Sequence, residues 1–141
     1  MVTIYQIHED EIPACWPKIE DLLERIFDRM PRTEETIEIF RRLTFKESLC
    51  WAISLNDTTP SIDAIVILTV TRNGWLAVDY CAGDQMELWL RKLVEEIDRH
   101  AERLKLRGVT ITGRKGWGRM LAKDGYEEGL HLFVKILENE P

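Results

Sequence analysis

Trp75-Leu76-Ala77-Val78-Asp79-Tyr80-Cys81-Ala82-Gly83 and the segment Asp84–Leu106 behind it decide how this chain is read. Trp75–Cys81 is apolar and β-prone and reads as a strand. From Asp84 the apolar period changes to 3.6. Met86, Trp89, Leu90, Leu93, Val94, Ile97, Ala101 and Leu104 fall on one stripe of a long helix. Glu87 with Arg91 and Glu95 with Arg99 stand at i,i+4 on its other side. His100 lies at the edge of the stripe, where a structural role is the reading.

Working outward, Asn73-Gly74 is a hairpin signal. It joins Trp75–Cys81 to Asp63–Thr71, which is too continuously apolar for a half-exposed strand and is expected in the middle of a sheet covered on both faces. Asn56–Ser61 is a turn cluster, and Ser48–Leu55 is a further strand. Upstream, Val2–His8 alternates as a first strand. Glu11–Met30 has helical periodicity through Ile12, Trp16, Ile19, Leu22, Leu23, Ile26 and Phe27. Pro13 suits its first turn, Pro17 is expected to cut or delay it, and Pro31 to end it. Thr33–Leu43 reads as a second helix with Ile37, Phe40 and Leu43 along one side. Downstream, Gly108–Thr112 is a short strand, Lys115–Asp124 a short helix and Glu128–Leu137 a final strand. The order β-α-α-β-β-β-α-β-α-β implies an α/β (α+β) fold: one domain over residues 1–141, with a mixed sheet of about six strands and helices on both faces.

The composition agrees. The chain has 141 residues, 45% hydrophobic and 31% charged, which is an ordinary globular mixture. No apolar run approaches the roughly 18 residues of a membrane span. The start lacks the basic and long apolar regions of a secretion signal, so a cytoplasmic setting is expected. Cys15, Cys50 and Cys81 form no CxxC pair and read as small hydrophobes in a reducing compartment. His8, His100 and His131 show no metal-ligand spacing.

The net charge of −6 is unevenly spread. Residues 103–119 hold no acid and six bases: Arg103, Lys105, Arg107, Arg114, Lys115 and Arg119. An acidic chain with one basic island is repelled by bulk nucleic acid and anionic membrane, yet can take a small anion or an acidic protein patch there. Trp16, Trp51 and Trp89 fall on core stripes. Trp117, between Gly116 and Gly118, lies inside the island. With Arg114, Lys115 and Arg119 it has the composition of an interface anchor, or it lids the sheet edge.

This element order resembles the GNAT superfamily, the general N-acetyltransferase fold. Gly125-Tyr126 is similar to that family's Gly-Phe/Tyr step before the last strand. Trp75–Gly83 and the helix after it look like its fourth strand and following helix. The run Ile111-Thr112-Gly113-Arg114-Lys115-Gly116-Trp117-Gly118-Arg119-Met120-Leu121, with Trp16 and Trp51, is similar to short GNAT-like proteins encoded by tailed bacteriophages.

The resemblance implies an acetyl-CoA site at the loop before the long helix, where backbone N–H groups of Gly83, Gln85 and Met86 would cradle the pyrophosphate. The family pattern Arg/Gln-x-x-Gly-x-Gly/Ala is degenerate here: Cys81-Ala82-Gly83-Asp84-Gln85-Met86-Glu87 has one glycine and no basic lead residue. Asp84 and Glu87 have capping-box spacing, so the Asp84 carboxylate is expected to take the N–H groups a pyrophosphate needs. It would also repel the ligand, by about 4 kcal/mol at ~4 Å and an effective dielectric of ~20. Leu121 stands where the family often has a tyrosine acid. Asp79 is the candidate base, and Tyr126 a weaker catalytic candidate.

Three expectations follow. The first is a non-catalytic GNAT-fold binding protein, phage-encoded, acting on a protein partner as a virion or assembly component or a host-factor binder. It needs no cofactor and permits homo-oligomers through the last strands. The second is an acetyl-CoA-dependent N-acetyltransferase with a divergent loop, in which Arg114, Lys115 or Arg119 contacts the CoA phosphates. The third is a small-ligand sensor using the same cleft.

Overall fold

The apolar run around residue 66 lies at the centre of a five-stranded sheet. The computed structural model describes residues 2–29, 31–112, 121–123, 125 and 126. Its strands are β1 (Thr3–Ile7), β2 (Leu49–Ser54), β3 (Ala64–Val70), β4 (Trp75–Gly83) and β5 (Gly108–Ile111), in the spatial order β1-β2-β3-β4-β5. The first four pair antiparallel, and β5 joins β4 in parallel. The expected final strand over 128–137 lies outside the described residues.

Three helices cover the sheet: α1 (Ile12–Phe27) and α2 (Thr36–Thr44) on one face, α3 (Met86–Arg103) on the other. Alternation along β3 assigns its residues. Ala64, Val66 and Leu68 pack with α3, while Ile65 and Ile67 pack with α1 and α2. All five are fully buried. Burial on both faces is why this strand carries no polar residue between 64 and 68.

The helical stripes hold with local corrections. Pro17 does not cut α1, because it removes a single backbone bond near the exposed start while Ile19, Leu22 and Leu23 anchor the helix. A 3-10 turn at Glu9–Glu11 leads into α1. The second helix begins at Thr36 rather than Thr33, and it buries Ile39 and Leu43 while Ile37 is 63% exposed. Arg99 pairs with Glu96, one residue from the partner expected. His100 stands edge-on to Trp51, centroids 5.2 Å apart. Burial, with Arg103 beside it, holds its imidazole below the ordinary histidine range. Asn73-Gly74 does close the β3–β4 hairpin: Gly74 has φ +86° and Thr71 N–H donates to Trp75 O at 2.8 Å.

Trp51 and Trp89 are buried with α3, and Trp16 meets Phe40 edge-on at 5.0 Å between α1 and α2. Cys50 is buried, whereas Cys15 and Cys81 are half-buried. Burial pushes the Cys50 and Cys81 thiols up to about 12, so neither is a thiolate nucleophile near neutral pH. No described helix is long and apolar enough to cross a membrane.

Candidate functional site

The two inner strands change register midway. Ile67 faces Tyr80 and Leu68 faces Val78, so Asp79 is an extra residue in β4 with no partner on β3. This bulge reverses the phase of the strand. Leu76 and Val78 pack toward α3, and strict alternation would then send Tyr80 there too. Instead both Asp79 and Tyr80 face α1 and α2. The described pairing of β4 with β5 runs as far as Val78 with Ile111, where Thr112 N–H donates to Val78 O at 3.3 Å, and β4 itself runs on to Gly83. Among the described residues, the β5-side edge of Asp79–Gly83 has no strand partner.

Asp79 sits in a polar cluster between β4 and α2. Thr69 Oγ1 donates to Asp79 Oδ2 at 2.5 Å, and Ser48 Oγ lies 2.8 Å from Thr69 Oγ1. Because the single Thr69 proton goes to Asp79, Ser48 must donate to Thr69. Arg42 Nη1 is 3.9 Å from Asp79 Oδ2, and Arg42 Nη2 bonds Glu34 Oε1 at 2.7 Å. Tyr80 donates its hydroxyl to the same Glu34 oxygen at 2.8 Å. Burial raises the Asp79 carboxyl above the ordinary carboxylate range, against the pull of Thr69 and Arg42. Burial and Glu34 push the Tyr80 hydroxyl up to about 12, which makes it a poor proton donor.

The loop before α3 departs from its sequence reading. The N-cap is Gln85, in the left-handed region at φ +58°, and no side chain caps the helix. Asp84 does not fold back on the N–H groups. Its carboxylate meets Arg25 of α1 at 3.2 Å, and its carbonyl accepts the Trp89 indole N–H at 2.8 Å. The capping box fails because Asp84 lies one residue before the N-cap, and the buried indole fixes its backbone there. Among the described residues, no side chain caps the first turn of α3 at Gln85 and Met86.

Gly83 has a packing reason to be glycine. At φ +152° an added Cβ would lie 2.3 Å from Ala64 Cβ and 2.9 Å from Asp63 O. Gly83→Ala should cost about 2 kcal/mol or more in urea unfolding, because the neighbour is backbone and a strand must move. Unfolding at the wild-type midpoint would show that this end of β4 yields freely.

Tyr126 is drawn away from the acid role. Its hydroxyl donates to Asp98 of α3 at 2.5 Å. Gly125, at φ +86°, and Tyr126 send their N–H groups back to Ala122 O and Leu121 O, which ends a helical turn in the Schellman manner. Leu121 packs against the α3-side core. Arg114, Lys115, Trp117 and Arg119 lie outside the described residues. Asp79, Gly83, Gln85 and Met86 are brought to one stretch, with Asp79 on the α1/α2 face and Gln85 opening α3. Arg42, Glu34 and Thr69 escaped sequence reading, since they come from three separate elements and share no spacing.

No family model matches the chain, and no curated protein matches it in sequence. Solved structures do. A probable acetyltransferase superposes with a TM-score of 0.72 at 12% identity, covering 98% of this chain and 99% of that one. Glucosamine-6-phosphate N-acetyltransferase from Arabidopsis thaliana gives 0.67 at 15% identity, covering 98% and 99%. An aminoglycoside acetyltransferase from an uncultured soil metagenomic sample gives 0.67 at 12%, covering 97% of each. At such identities the likeness speaks for the fold alone, and it spans nearly the whole of both chains. The mixed sheet β1 to β5 with α1, α2 and α3 is thus a GNAT-like α+β fold, which is the fold of this chain.

Proposed function

We propose that the chain is an N-acyltransferase that takes an acyl group from a CoA thioester, held at the end of β4 and the start of α3, and passes it to an amine. The observation that carries this is the bulge at Asp79. It leaves Asp79, a half-buried carboxylate with no β3 partner, on the α1/α2 face of the strand that leads into α3, whose first turn no described side chain caps. A pyrophosphate fits such a terminus, whose N–H groups and dipole favour an anion. The Asp84 charge that argued against it is drawn toward Arg25. The thioester supplies the activated acyl carbon. Asp79, oriented by Thr69, takes the proton that an attacking ammonium group must lose. Leu121 cannot protonate the departing thiolate, and Tyr126 is engaged by Asp98, so that proton comes from solvent. N-acetyl transfer, hence a nitrogen acceptor, is named for the glucosamine-6-phosphate enzyme that shares the fold.

One observation favours a second reading, a phage-encoded binding protein without catalysis. Neither residue 121 nor residue 126 offers a free acid. Calorimetric titration of acetyl-CoA separates the two. The enzyme reading expects a Kd of about 10 µM, worth roughly 7 kcal/mol. Asp84→Asn should tighten it only about two- to fivefold, because Asp84 is 84% exposed and its charge is screened by solvent. Absence of heat in both proteins at millimolar ligand would reject the acyltransferase and leave the binding protein.

A further inference from the structure

We infer that Arg42 is a positioning residue: Glu34 anchors its guanidinium beside the Asp79 carboxylate as a counter-ion that the carboxylate does not bond. This rests on the role proposed above for Asp79.

The distances define the device. Arg42 Nη2 is locked to Glu34 at 2.7 Å, whereas Nη1 stays 3.9 Å from Asp79, beyond hydrogen-bond length. Arg42 Nε is buried with no partner among the described residues. An arginine free to choose would close on the carboxylate through two parallel N–H bonds. This one does not, because Glu34 holds it back, and Glu34 is itself fixed by the Tyr80 hydroxyl at 2.8 Å. Among the described residues Asp79 therefore takes one hydrogen bond, from Thr69, and keeps lone pairs for a proton. A carboxylate clamped by a bidentate arginine would be ionised but a poor base. One with no cation nearby would hold its proton. The anchored Arg42 sets Asp79 between these limits.

The groups around Asp79 are few. Arg42 comes from α2, Glu34 from the segment before it, Thr69 from β3 with Ser48 behind it on β2, and Tyr80 is its neighbour on β4. Arg42 and Glu34 are the charges that act on it.

The test is carbon-detected NMR titration of the Asp79 carboxyl in the ligand-free protein, assigned with Asp79→Asn. Arg42→Gln should move the midpoint up by about one pH unit, as loss of an adjacent cation does. Arg42→Lys should bring it back toward wild type. Glu34→Gln should move it down, since a like charge is removed and Arg42 is released to close on Asp79. A role confined to packing gives no such opposite signs and no rescue by lysine. The inference is overturned if Arg42→Gln and Glu34→Gln shift the midpoint in one direction, or if both leave it at the wild-type value in folded protein. The readout needs no turnover. Failure of acetyl-CoA to bind would remove the proposed function and leave these titrations standing.

Discussion

Trp89→Ala should lower the unfolding free energy by about 3–5 kcal/mol, the range for emptying a fully buried tryptophan site. Trp89 is 1% exposed and sits in the core between α3 and the sheet, among Leu90, Leu93 and Val94 of its own helix. The indole also donates to Asp84 O at 2.8 Å, so the substitution loses a bond as well as volume. Urea unfolding measures the loss. Trp89→Phe isolates the bond. It keeps most of the apolar volume, so stability should fall by only about 1–2 kcal/mol. Acetyl-CoA affinity should drop alongside, because the loop ahead of α3 is no longer pinned. A phenylalanine variant that binds acetyl-CoA as well as wild type would show that the indole bond does not organise the site.

Asp79→Asn should reduce kcat by about 10²–10⁴-fold, the usual contribution of a positioned general base. Asparagine has the same shape, and its side-chain oxygen still accepts the Thr69 hydroxyl. Stability should therefore stay within about 1 kcal/mol of wild type at neutral pH. The pH profile gives an independent sign. A base works deprotonated, so the rate rises with pH through the Asp79 pKa. Burial raises that pKa, so the acid limb should lie above the ordinary carboxylate value of about 3.9. In Asp79→Asn that limb should vanish. Unchanged kcat in the variant would make Asp79 a structural member of the Thr69–Arg42 cluster and nothing more.

Much of the fold was legible because it rests on period and burial, which are written locally. The 3.6-residue stripe of α3, the unbroken apolar run of β3 and the Asn73-Gly74 turn each fix an element without knowledge of its neighbours. The errors came where a residue's fate depends on a partner from elsewhere. Ile37 fits a helical stripe, yet α2 rotates to bury Ile39 and Leu43. Asp84 has the spacing of a cap, yet Arg25, fifty-nine positions away, claims its carboxylate and Trp89 holds its carbonyl.

By itself the sequence determined the order of elements from β1 to β5, the central place of β3, the two apolar faces and hence the GNAT-like architecture. It also marked Asp79 as an acid on the fourth strand. Only the tertiary structure decided where that acid sits and what surrounds it. The bulge cannot be read from composition, because an extra residue changes strand phase without changing residue type. That one step places Asp79 and Tyr80 on the same face. There Thr69, Arg42 and Glu34 converge from β3, α2 and the segment before it, and desolvation in their midst shifts a charge that sequence alone leaves ordinary.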